Sequence, residues 1–150
     1  MTNTTIPIPI YFGKLTIIIV SDWMELDMIH KIKVDENLYD AVVFEIKNND
    51  EYLVAIKKVE WSIIAHEVVH LVNAIFLKCG VELDRHNDEP QAYLTGWIMN
   101  EINKHIKENQ QFNILKTISD CRLKVEAEVP FGKEDAYDAI INEVDNHLKK

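Results

Sequence analysis

The chain has 150 residues, 47% of them apolar, and a formal net charge of −9. This length and apolar fraction suit one packed domain, 1–150, and set aside intrinsic disorder. Sixteen Lys and Arg against 25 Asp and Glu argue against a nucleic-acid partner and against docking on anionic membranes, both of which need a basic surface.

The first third reads as β. Ile6, Ile8 and Ile10 alternate with other residues, and a β-branched run follows over 14–20. Its apolar part, 15–20, is far shorter than a membrane span. Pro7, Pro9 and Gly13 precede it, where a secretory leader would carry a basic segment and a continuous apolar core. Residues 22–37, with Trp23, Leu26, Met28, Ile29 and Ile32, suit either a short helix or an irregular connection. Two strand-like runs, 40–46 and 51–56, flank the polar cluster Lys47-Asn48-Asn49-Asp50, the pattern of a β-hairpin.

The middle third reads as helix. Over 59–78 apolar residues occupy most faces, which predicts a buried central helix. Gly80 follows as a left-handed stop. After a polar loop over 81–88, a second helix opens at Asp88-Glu89-Pro90, with Asp88 as cap and Pro90 in the first turn. Leu94, Ile98, Ile102 and Ile106 carry it to about 107. Residues 112–129 fit helix or mixed structure, Pro130-Phe131-Gly132 is a break, and 134–148 reads as an amphipathic terminal helix. Cys79 and Cys121 imply no disulfide framework and suit reduced thiols in a cytoplasmic setting.

The central helix contains His66-Glu67-Val68-Val69-His70, the pattern H-E-x-x-H. Residues four apart share a helix face, so both imidazoles can reach one metal ion. Glu67 is rotated from His66 by about 100°. That places its carboxylate beside such an ion, where it can accept a proton from metal-activated water. Zinc lowers the pKa of bound water to roughly 7, which makes this transfer feasible near neutrality. Setting three titratable groups in so apolar a helix is costly unless they are paired or bind metal.

A catalytic zinc site needs a third protein ligand, with the fourth position open. Glu89, Asp88 and His86 are the candidates. Glu89 is preferred because Glu89, Tyr93, Gly96 and Asn100 form one helical stripe. Gly96 costs roughly 1 kcal/mol in a helix, which a close helix–helix approach along that stripe would explain. Asp88 is better suited to capping. Asn73, one turn after His70, could orient a ligand or bridge two helices.

His66, Glu67, His70 and Glu89, read as H-E-x-x-H-x18-E, resemble the zincin metallopeptidases of the gluzincin type. The segment Asn87-Asp88-Glu89-Pro90-Gln91-Ala92-Tyr93 is also similar to small zincin-like proteins of bacteria and phages. The gluzincin resemblance covers roughly residues 40–107 and implies that His66, His70 and Glu89 bind Zn2+ while Glu67 is the general base. Two departures stand out. No Gly-Ala-Met-Glu-Asn type motif is present, so aminopeptidase specificity is not implied. Tyr93 also occupies the position where many gluzincins carry an Asp that orients a ligand.

These features predict an α+β fold. An N-terminal antiparallel sheet packs on a buried active-site helix and a second helix, with a C-terminal helix beyond: a minimal zincin-like core. The expected activity is zinc-dependent hydrolysis of a peptide or protein substrate, with Glu67 as base and Tyr93 as a candidate oxyanion donor. His86, Arg85 and His105 are further candidates for that donor. The alternative is a non-catalytic zinc-binding or regulatory protein that retains the scaffold. Trp23, Trp61 and Trp97 suit the core or its rim.

Overall fold

The computed structural model describes residues 1–35, 37–46, 50–128 and 141. The side chain of Cys121, and all but residue 141 of the helix expected over 134–148, lie outside the described residues. Seven elements follow in chain order: β1 (Thr2–Pro7), β2 (Lys14–Ile19), α1 (Trp23–His30), β3 (Ala41–Ile46), β4 (Glu51–Ile56), α2 (Trp61–Cys79) and α3 (Glu89–Glu128). The chain divides into two compact units, Met1–Ile106 and Lys107–Lys150.

The fold is α+β. The four strands form one sheet in the order β1-β2-β4-β3. It is mixed, where an antiparallel sheet was expected: β1 and β3 pair antiparallel with their neighbours, but β2 and β4 are parallel. Residues 20–50, with α1 and β3, separate β2 from β4 in sequence. That is chain enough for the crossover that parallel neighbours require. The hairpin expected at β3–β4 is present.

β2, β3 and β4 alternate between two apolar layers, as a period of two dictates, whereas every second residue of β1 is exposed. Leu15, Ile17, Ala41, Tyr52, Val54 and Ile56 face one layer, together with Ile64, Val68, Leu71 and Ile75 of α2 and Leu94, Ile98, Ile102 and Ile106 of α3. Ile18, Val42, Leu53 and Ala55 face the other, with Trp23 and Leu26 of α1. Burying each Val, Leu or Ile among them contributes about 1.5–3 kcal/mol. α1 settles the ambiguous stretch after β2. Asp22 caps it by accepting from the Met24 amide at 2.8 Å, and the Trp23 indole donates to the Tyr39 carbonyl at 3.0 Å.

β1 starts and stops earlier than the isoleucine alternation suggests. The Ile8 amide donates to the Gly13 carbonyl at 3.0 Å and the Tyr11 amide to the Pro9 carbonyl at 2.8 Å. Ile10 and Phe12 adopt φ of 71° and 50°. The chain is therefore already turning where the third isoleucine falls.

Helix α2 ends as expected, with Gly80 at φ 66° and its amide donating to the Leu77 carbonyl. Its burial differs from the expectation. Ile64, Val68, Leu71, Val72, Ile75 and Phe76 are buried, but His66, Val69, His70 and Leu77 are exposed. The sheet covers only one stripe of the helix, so apolar composition overstates its burial. By length and composition α2 could cross a membrane; its most apolar stripe packs on the sheet.

Within the first unit α2 and α3 run antiparallel. Lys78 at the end of α2 bridges Glu45 and Asp50 at 3.1 and 3.5 Å. α3 starts near the β1–β2 turn, and by His105 it reaches Thr2, whose Oγ1 lies 3.5 Å from His105 Nε2. α3 continues well past 107, because neither Gly nor Pro interrupts residues 97–128. In the second unit it exposes Phe112, Ile114, Leu115 and Ile118.

Gly13 adopts φ 108°, and a Cβ there would collide with the carbonyl oxygen of Asp50. The Lys14 amide donates to that same oxygen at 3.0 Å. Gly13→Ala should therefore lower stability by about 2 kcal/mol or more. Gly80→Ala meets open space and should cost only about 1 kcal/mol through its positive φ. Urea unfolding of both variants measures the difference.

Candidate functional site

His66 and His70 lie one helical turn apart on the solvent face of α2. Their Nε2 atoms are 3.0 Å apart, and their rings meet edge to face with centroids 4.6 Å apart. Without a metal, one imidazole can donate to the other only if one Nε2 is protonated and the other is not. A tetrahedral zinc ion with Zn–N near 2.0–2.1 Å needs two such nitrogens about 3.3 Å apart. The pair is already within a few tenths of an ångström of that bite.

Glu67 is half-buried on the flank of α2 nearer the sheet. Burial pushes its carboxyl above the ordinary glutamate range, and the charges of His70 and His66 only partly counter this. His66, Glu67 and His70 open together onto one groove of about 370 Å³. Its other walls are Val42, Val43 and Phe44 of β3, with Lys33, Val34, Asp35 and Tyr39 from the segment before β3. β3 is an edge strand, so the sheet pairs its backbone on one side only.

The other expected site residues are not brought to this groove. Glu89 and Tyr93 line a separate pocket with Pro9, Ile10, Tyr11, Asn87, Pro90, Leu94 and Trp97. Among the described residues no group of three His, Cys, Asp or Glu is arranged to hold a metal ion. The antiparallel course of α3 sets its first turn against the β1–β2 turn, while the histidines lean toward β3 on the other flank of α2. Asn73 bridges the helices, accepting from Gln91 Nε2 at 3.4 Å.

Two further expectations are corrected. A Cβ at Gly96 would meet nothing within 4 Å, so no close helix approach accounts for that glycine. The cost of burying polar groups in α2 falls on Glu67 alone, since both histidines are exposed. His86 lies in an exposed loop, its amide held by Asp84 Oδ1 at 2.8 Å. His105 is buried near the middle of α3, beside Thr2 and away from the groove. Trp61, expected at the core or its rim, is about half exposed. The groove residues of β3 and the preceding segment escaped the sequence reading, because nothing local marks a strand as an edge.

The chain matches no family model, no curated protein and no solved structure.

The raised carboxyl of Glu67 predicts a pH dependence of stability. The folded state holds this proton more tightly than the unfolded state. Ionising Glu67 therefore costs stability as pH rises from its unfolded value through its folded one. Glu67→Gln should gain stability over wild type above that window and show no such gain below it. Denaturant midpoints measured from mildly acidic to neutral pH check the sign.

Proposed function

We propose that this protein is a zinc-dependent hydrolase of peptide bonds, acting in the groove between α2 and β3. The reading rests on one observation: the two imidazole nitrogens of His66 and His70 converge to 3.0 Å at a groove that also holds the half-buried Glu67. These two histidines would supply two of the ion's protein ligands, with no third assigned among the described residues; when bound, the ion supplies a Lewis acid and a water of lowered pKa. The Glu67 carboxylate accepts a proton from the attacking water and returns it to the leaving amine. The free edge of β3 suits an extended peptide, which can add to a sheet edge through backbone hydrogen bonds. Val42, Val43 and Phe44 offer apolar contact beside it.

The placement of Glu89 in a different pocket favours a second reading: a metal-binding or regulatory protein that performs no turnover. The Glu67→Gln variant separates the two. Under the first reading it should lose peptide hydrolysis by about 100-fold or more while keeping the zinc content of wild type. His66→Ala should lose the zinc as well. Metal analysis alongside cleavage of a peptide library, followed by mass spectrometry, measures both. Zinc retention with no hydrolysis in wild type supports the second reading, and absence of zinc binding by wild type removes both.

A further inference from the structure

The pocket at the start of α3 has a composition unlike that of the histidine groove. Tyr11, Tyr93 and Trp97 supply three aromatic side chains, and Pro9, Ile10, Pro90 and Leu94 supply apolar walls. Among the described residues Glu89 is the only charged one lining it. Its carboxylate enters no ion pair among the described residues. The pocket encloses about 480 Å³, enough for a small organic molecule.

Both walls are built. Glu89, Tyr93 and Trp97 recur every four residues, so they form one row along the first turns of α3. Tyr11 comes from the turn after β1. Its ring packs against Phe76 with centroids 5.3 Å apart, and its carbonyl accepts from Cys79 Sγ at 3.3 Å. Gly13 lets that turn close. This row of α3 also contains the sequence stripe of Glu89, Tyr93 and Gly96 that no helix contact explains.

We infer that this pocket binds a substituted ammonium ion with an apolar body, held by the Glu89 carboxylate and by the aromatic side chains of Tyr11, Tyr93 and Trp97. Electron-rich ring faces attract organic cations, and one carboxylate without a competing Lys or Arg supplies the opposite charge. The net −9 of the chain adds a long-range field of the same sign. This assignment does not rest on the histidine groove. It gives Glu89 a task in the pocket it lines, in place of metal ligation.

Benzyltrimethylammonium is a suitable probe, with 3,3-dimethylbutan-1-ol as a neutral comparison. Titration of the full-length protein, followed through the Trp97 indole N–H resonance, should give saturable binding of the cation. Binding should weaken about three- to ten-fold in Glu89→Gln and in Tyr93→Ala. Both side chains are exposed, so neither change threatens folding. Zinc content of Glu89→Gln should equal that of wild type. Three results would overturn the inference: no saturable binding, equal binding of cation and neutral alcohol, or loss of zinc in Glu89→Gln. The last would return the carboxylate to the metal.

Discussion

The first unit depends on one packing contact, the apolar stripe of α2 lying on the sheet. Ile64, Val68, Leu71 and Ile75 are fully buried, as are their sheet partners Leu15, Ile17, Val54 and Ile56. That contact fixes the rotation of the helix about its axis. With 100° per residue, once those four residues face the sheet, His66 and His70 must face away from it. Glu67 then falls on the flank, half-covered. The exposure of the histidines and the partial burial of the carboxylate are therefore one consequence of hydrophobic packing, not two separate features.

The same contact orders the two pockets. α2 leans toward β3 and β4, tied at its end by Lys78 to Glu45 and Asp50. α3 closes the remaining part of the layer and returns along it in the opposite direction. One flank of α2 thus meets an edge strand and becomes a groove. The first turn of α3 meets the β1–β2 turn, tightened by Gly13, and a second pocket forms. The two have different chemistry: imidazoles and a carboxylate in the first, aromatic rings and a carboxylate in the second.

Of these features, the hairpin of β3 and β4, the end of α2 at Gly80 and the H-E-x-x-H helix were legible in the residue pattern. Each is written in local rules: alternation of period two, a left-handed glycine cap, a four-residue spacing. The parallel pairing of β2 and β4 was not legible, since it depends on how a crossover returns through α1. The burial of α2 was misjudged because composition counts apolar side chains and does not say how many faces a sheet can cover. The grouping of Glu89 with the histidines also had no local basis. Nineteen residues of separation say nothing about which flank a returning helix occupies.

The sequence by itself determined which side chains share a turn. His66 and His70 approach each other because any α-helix brings residues four apart together, and Glu89, Tyr93 and Trp97 form a row for the same reason. Tertiary structure alone decided what each group faces. Burial of the α2 stripe turned the histidines outward, above the groove they share with β3, and the antiparallel return of α3 carried Glu89 and Tyr93 to the β1–β2 turn. Those directions follow from nonlocal apolar contacts, which act between residues far apart in the chain and leave no mark in the spacing of any one segment.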